Sequence, residues 1–222
     1  MPGLTLGSKI NHATAANLPA NLMDASPLIP AVADPVALFR AWFAEAVASE
    51  PDVPDAMSLA TATPDGKPSV RMVLMKGISE KGLLFYSNAE SRKGAEIAAN
   101  PKAAVCFHWK TLRRQVRIEG TLAPATIAQA DDYWNTRPRQ SQIASFASEQ
   151  SRPLESRAAL QARVADATAR FAGQPIPRPP EWVGYCLSLE LIEFWHDVRD
   201  RLHDRLVFHK TPGGWRTERL YP

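Results

Sequence analysis

Polar and apolar positions alternate along this chain with two different periods, and the places where the period changes mark its elements. After Asp34-Pro35, residues Val36, Phe39, Phe43 and Val47 fall at helical spacing, with Asp34 placed to cap the helix and Pro35 suited to its first position. From Ala56 to Gly120 the period drops to two. The apolar runs Ala56–Thr63, Val70–Met75, Leu83–Tyr86, Ala103–Trp109 and Val116–Gly120 read as strands. Pro64-Asp65-Gly66 and Ser79-Glu80-Lys81-Gly82 supply turn residues between neighbours, so antiparallel hairpins are expected rather than crossover units. The core is therefore expected to be a meandering sheet or barrel.

Helices interrupt and flank these strands. Ser91 can cap a short helix over Ser91–Asn100 that stops before Pro101, and further helical blocks run over about Thr126–Trp134 and Leu154–Phe171. In the last of these Leu160, Val164, Ala167 and Phe171 share a face, and the prolines at 175, 177, 179 and 180 then force an extended linker. Strands return over Trp182–Trp195, and a hairpin of Leu206–His209 with Trp215–Leu220 is expected around Thr211-Pro212-Gly213-Gly214. Residues 1–34 carry no aromatic side chain and only Lys9, Asp24 and Asp34 as charges. That composition predicts a flexible arm over 1–33 and a single folded domain over 34–222.

Composition narrows the function classes. A chain of 222 residues with 45% hydrophobic content can bury a core without disulfides or a structural metal. Lys and Arg number 26 against 23 Asp and Glu, an excess too small to predict nucleic-acid binding. Cys106 and Cys186 stand far apart with no His/Cys cluster at metal-ligand spacing, which predicts a reduced, cytoplasmic protein without a metal site. No stretch approaches the roughly 20 apolar residues that cross a bilayer, so neither secretion nor membrane insertion is expected. The sequence also lacks G-x-G-x-x-G, P-loop, H-E-x-x-H and G-x-S-x-G motifs.

Basic residues stand out at strand ends and helix starts. Arg92 and Lys93 follow the capping Ser91, where unpaired backbone N–H groups already favour an anion; they fit either a phosphate site or a solvated helix end. Arg71 and Lys76 flank an apolar run at odd spacing, so both meet one ligand only if the strand bulges or the ligand wraps its end. Tyr133, Arg137 and Ser141 lie close together at a helix end, suited to phosphate or ring contacts or to an ordinary solvated loop. Past Trp195, an extended chain would put Arg201, His203 and Arg205 on one face, either to meet an anionic or electron-rich ligand or to protect a sheet edge.

Taken in order, Arg71–Lys76, Phe85-Tyr86-Ser87-Asn88, Ser91-Arg92-Lys93, Arg114-Gln115-Val116, Ser141-Gln142-Ile143, Glu149-Gln150-Ser151, Ile192-Glu193-Phe194-Trp195 and Arg201–Arg205 resemble the pyridoxamine 5′-phosphate oxidase family. The resemblance implies a mainly β, α+β fold, an FMN-binding split β-barrel with flanking helices. It also implies a homodimer whose two sites are each shared between subunits. Around FMN it places Arg71, Met72, Val73, Leu74, Met75, Lys76, Tyr86, Ser87, Arg92, Lys93, Gln115, Gln150, Ser151, Trp195 and Arg205. On the substrate phosphate it places Lys76, Tyr133, Arg137 and Ser141, and over the pyridine ring Arg201 and His203 as the catalytic pair. The implied reaction is oxidation of pyridoxine or pyridoxamine 5′-phosphate by oxygen to pyridoxal 5′-phosphate. Better-known members carry an Arg-Arg-Glu-Tyr-like stretch near the N-terminus that can close over the substrate; residues 1–33 here have no arginine and no tyrosine. Three alternatives stand beside this reading: a phenazine-type flavin oxidase of the same fold, a non-catalytic split-barrel carrier or sensor, and a nucleic-acid binder.

Overall fold

The computed structural model describes residues 28–222. Asp34 caps α1 (Pro35–Ser49) by accepting a 2.8 Å hydrogen bond from the Val36 N–H. The buried face of α1 enters the sheet's core, where Phe39 meets Phe107 at 5.2 Å and Trp42 meets Phe194 at 5.1 Å. The strands that follow are β1 (Ala56–Ala62), β2 (Pro68–Leu74), β3 (Gly77–Ser79) and β4 (Gly82–Asn88). After α2 (Arg92–Ala99) come β5 (Lys102–Trp109) and the long β6 (Arg114–Pro124). The hairpins expected at Pro64–Gly66 and Ser79–Gly82 are present, joining β1 to β2 and β3 to β4.

One strand makes the sheet fork. Along one edge Arg114–Thr121 of β6 pairs with the full length of β5. Along the other, Arg114–Glu119 pairs with β8 (Leu191–His196), and Leu122–Pro124 pairs with β7 (Trp182–Leu187). The sheet therefore continues from β8 to β9 (Asp204–Thr211) and β10 (Gly214–Arg219) in one direction, and from β7 to β4 and β3 in the other. The Trp182–Trp195 run is thus two strands, broken where Ser188 turns back toward β6 through a 2.8 Å bond from the Thr121 N–H to its Oγ. Gly120 sits at the fork, and a Cβ there would lie 1.8 Å from the Ser188 carbonyl oxygen. Backbone cannot yield as a flexible side chain can, so Gly120→Ala is expected to cost about 2–3 kcal/mol and to lower Tm by roughly 5–10 °C. A thermal melt showing no loss would mean that the fork relaxes freely.

A helical cap closes the second arm of the fork. Helices α3 (Ile127–Thr136), α4 (Arg139–Ala147) and α5 (Arg157–Arg170) bury Trp134, Ile143, Ala147, Ala167 and Phe171 together with Ile176 and Trp182. The sequence pattern assigned no element to Arg139–Ala147, and it is a helix. Pro138 holds Arg137 in an extended conformation, ends α3 and supplies a rigid start to α4. Arg139 then reaches the carbonyls of Phe171 and Gln174 beyond the end of α5, tying the two helices together.

Two further differences bear on the site. Arg199–Arg201 forms a 3-10 turn with Asp200 and Arg201 at φ 57° and 65°, and β9 starts only at Asp204. Arg201, His203 and Arg205 therefore do not share a strand face; the alternation argument fails because the chain is not extended there. At the other end, Ile29 is fully buried ahead of Asp34. Its N–H donates to Asp204 at 2.8 Å and its carbonyl accepts from Arg219 at 2.6 Å. Residues 1–27, most of the expected arm, lie outside the described residues.

Candidate active site

A cleft of about 480 Å³ opens between the end of β2, β4, the start of α2 and the helical cap. From the sheet it is lined by Met72, Val73, Leu74, Lys76, Tyr86, Ser87 and Asn88. Lys93 and Gln150 close one side, and Tyr133, Arg137, Ser141, Ala144, Ser145, Ser148 and Trp182 close the other. Lys76 reaches the cleft because the chain leaves the β1–β2 pairing after Leu74: the Lys76 N–H bonds the Leu84 carbonyl at 2.7 Å. Its ammonium pairs with Asp55 at 2.8 Å.

The start of α2 gathers cations around one buried carboxylate. Glu96, 5% exposed, accepts from Thr61 and Ser69 at 2.5 Å each, from Arg92 at 2.9 Å and from Arg71 at 3.2 Å. Burial alone would raise its pKa, but the hydrogen bonds from Ser69, Thr61 and Arg92 hold it at about 2. Lys93, 8% exposed, donates to Gln150 at 2.7 Å and to Ser91 at 3.1 Å. Its burial, reinforced by the nearby Arg71 charge, lowers its pKa to about 8. Two cations, Arg71 and Arg92, share one carboxylate, and Lys93 stands next to them at the helix start with no carboxylate of its own among its partners. The excess positive charge suits a dianionic group.

Aromatic rings form the opposite wall. Tyr86 stacks on Tyr133 at 4.4 Å and on Trp182 at 5.1 Å, and its hydroxyl donates to the Gln129 carbonyl at 3.0 Å. Arg137 lies over Trp182 at 4.9 Å and Trp134 at 5.1 Å, and it donates to Ser145 at 2.8 Å. Guanidinium stacked this way has few rotamers left to lose when it binds an anion. Ser145, Ser148, Ala144, Asn88 and Trp182 were not singled out from sequence. For the serines a signal existed: Ser141, Ser145 and Ser148 are spaced four and three apart, which puts three hydroxyls on one helical face.

The remaining candidates lie elsewhere. Met75 is buried in the main core, and Ser151 sits exposed at φ 75° just past Gln150. Gln115, Trp195 and Arg205 occupy one row across β6, β8 and β9. Arg205 bonds the buried Glu193 at 2.7 Å, and His203 packs on Trp195 at 4.8 Å. Arg201 is exposed on the neighbouring turn. Four strand steps separate β2 from β8, about 19 Å along the sheet. One chain therefore carries two groups of candidates on different parts of the fold. Among the described residues no group of three or more His, Cys, Asp or Glu could hold a metal, and no helix is long and apolar enough to cross a membrane.

Comparison with known proteins supplies the context for this arrangement. Residues 43–171 match the family described as Pyridoxamine 5′-phosphate oxidase, and residues 182–222 match the Pyridoxine 5′-phosphate oxidase C-terminal dimerisation region. The pyridoxine/pyridoxamine 5′-phosphate oxidase of Sphingopyxis alaskensis is 59% identical over 189 residues, covering 85% of this chain and 88% of that protein. The one from Gluconobacter oxydans is 52% identical over 196 residues, covering 88% and 98%. Among solved structures, PhzG from Burkholderia lata 383, in complex with tetrahydrophenazine-1-carboxylic acid, superposes with TM-score 0.81 at 33% identity, over 93% of this chain and 98% of that one. A pyridoxamine 5′-phosphate oxidase-related, FMN-binding protein from Nostoc punctiforme shares the fold with TM-score 0.70 at 18% identity, over 86% of this chain and all of that one. The fold is the split barrel, and this chain belongs to the pyridoxamine 5′-phosphate oxidase family.

Proposed function

We propose that this protein is a cytoplasmic, FMN-dependent oxidase that converts pyridoxine 5′-phosphate and pyridoxamine 5′-phosphate to pyridoxal 5′-phosphate. Oxygen is the final acceptor, hydrogen peroxide is released, and the amine substrate also yields ammonia. The observation that carries this reading is two groups of cations: Lys93 in the cleft wall at the start of α2, with Arg92 and the β2 residue Arg71 paired to Glu96 beside it, and Lys76 with Arg137 in the same cleft beside Tyr133 and Ser141. Two phosphorylated ligands, a cofactor and a substrate, match that pair of sites.

On this reading Arg71, Arg92 and Lys93 hold the FMN phosphate, with Ser87, Gln150 and Ser151 beside it. Met72, Val73, Leu74, Lys76 and Tyr86 line the flavin. Bound FMN supplies the two-electron acceptor. Lys76, Tyr133, Arg137 and Ser141 grip the substrate phosphate and so fix how far the C4′ carbon projects. Gln115, Trp195 and Arg205, with Arg201 and His203, complete the site of a second copy. That assembly accounts for the separation of the two groups along one sheet and fits the match of residues 182–222 to a dimerisation region. Arg201 orients the pyridine ring, and His203 hydrogen-bonds the substituent on C4′.

The likeness to PhzG makes a phenazine-type oxidase the specific rival. Oxygen uptake separates them. Rapid uptake with pyridoxine 5′-phosphate, and stoichiometric pyridoxal 5′-phosphate, is expected; uptake only with a reduced phenazine precursor would overturn the reading.

Lys93 also gives the reading a pH signature. In flavin-free protein it loses its proton near pH 8 rather than at the ordinary 10.5, so the unfolded chain binds more protons between those values and stability there rises with pH. Phosphate contact favours the ammonium form, so flavin binding takes up a proton above pH 8. FMN affinity is then expected to be level below pH 8 and to fall above it by up to about tenfold per unit. Titration by flavin fluorescence from pH 7 to 9.5 measures this, and a flat profile would remove Lys93 from the phosphate.

A further inference from the structure

We propose that Asp197 sets the tautomer of His203, holding the ring proton on Nδ1 so that Nε2 is presented as a hydrogen-bond acceptor to the C4′ substituent of the substrate. The inference rests on the reading above that His203 meets that substituent.

His203 closes the loop between β8 and β9, its side chain half-buried against Trp195. Two groups compete for its Nδ1. The Asp197 Oδ1 lies 3.0 Å away and the Val198 N–H approaches to 3.1 Å. A protonated Nδ1 donates to the carboxylate; an unprotonated one accepts from the amide. No neutral ring serves both. A bond to an ion is stronger than a bond to a neutral amide at similar length, so the carboxylate wins.

Asp197 is well prepared for this. Arg113 holds its other oxygen, Oδ2, through Nε at 3.0 Å and NH2 at 2.8 Å, leaving Oδ1 for the ring. Those bonds, with the charges of Arg113 and Arg201, keep its carboxyl below the ordinary aspartate range. The carboxylate is therefore fixed in place and ionised. The same contact clasps Asp197 to His203 across the turn in which Asp200 and Arg201 adopt left-handed backbone, so it steadies Arg201 as well.

An acceptor at Nε2 has a chemical consequence. The alcohol presents a hydroxyl and the amine an ammonium at C4′, and both can donate to a lone pair. The opposite tautomer would aim an N–H at the ammonium. Asp197 thus makes one histidine serve two substrates, a positioning role exercised through His203.

Nitrogen NMR of the FMN-loaded protein labelled with 15N-histidine, with His203→Gln for assignment, reads the tautomer directly. The wild type is expected to show Nδ1 protonated, and Asp197→Ala to move the proton to Nε2 as the Val198 N–H takes over Nδ1. In the same proteins Asp197→Ala is expected to lower kcat about tenfold for the alcohol and further for the amine, with KM and flavin retention within about twofold. Asp197→Asn, whose carbonyl still accepts from Nδ1–H, is expected to restore most of the rate. An unprotonated Nδ1 in the wild type, a ring unchanged by Asp197→Ala, or an unchanged kcat would each overturn the proposal. A wild-type protein that turns over neither substrate would instead refute the functional reading, with the tautomer still decided by the spectrum.

Discussion

Arg201→Ala is expected to lower turnover of pyridoxine 5′-phosphate by at least about a hundredfold while leaving flavin bound. Arg201 is exposed on a strained turn at φ 65°, a conformation that costs a non-glycine residue about 1–2 kcal/mol and that the surrounding loop must hold. None of the ion pairs that build the α2 cation cluster uses it, so its loss leaves the proposed phosphate grip intact. On the proposed reading what disappears is the planar cation that orients the ring, and misorientation alone accounts for an effect of this size. Steady-state kinetics with the flavin absorbance recorded on the same sample checks both halves. A variant that loses its flavin, or one that turns over normally, would show that Arg201 acts elsewhere.

Replacing Arg92 and Lys93 together is expected to weaken FMN binding by about a hundredfold or more. Charge-assisted hydrogen bonds contribute about 1.5–3 kcal/mol each, and two correspond to at least that factor. Lys93 carries the larger share, being buried and aimed at Gln150, whereas the Arg92 side chain is 58% exposed and screened by water. Glu96 keeps Thr61, Ser69 and Arg71 after the change, so α2 stays anchored. Fluorescence titration of flavin-free protein gives the affinity. An unchanged value would place the phosphate away from α2.

The sequence revealed the elements whose determinants are local. Alternation with Gly and Asp at the turns predicted the β1–β2 and β3–β4 hairpins, and Asp34 and Ser91 cap the helices they were expected to cap. It hid α4, because Arg139–Ala147 buries only Ile143 and Ala147 and otherwise shows polar residues that suit a loop equally well. It misjudged Arg201–Arg205, because alternation assumes an extended chain and nothing in Asp200-Arg201 announces a left-handed backbone without glycine. The docking of Ile29 depends on Asp204 and Arg219 from the far end of the chain, which no local pattern encodes.

The site was legible in a similar way. Motif order picked out Lys76, Tyr86, Lys93, Tyr133, Arg137, Ser141 and Gln150, and these meet at one cleft. That Gln115, Trp195 and Arg205 form a separate row follows from strand register, which motif order does not carry. Trp182 escaped notice because its place beside Tyr86 comes from the pairing of β4 with β7. Glu96 escaped because a lone carboxylate in a helix gives no sign of the four partners that converge on it.

The most direct measurement is an anaerobic half-reaction on the purified, FMN-loaded protein. Pyridoxine 5′-phosphate is added while the flavin absorbance near 450 nm is followed, and air is then admitted. The account predicts bleaching with formation of one pyridoxal 5′-phosphate per flavin, and recovery of the yellow colour in air with release of hydrogen peroxide. A flavin that stays oxidised with pyridoxine and pyridoxamine 5′-phosphate alike, or a protein that takes up no FMN, would contradict it.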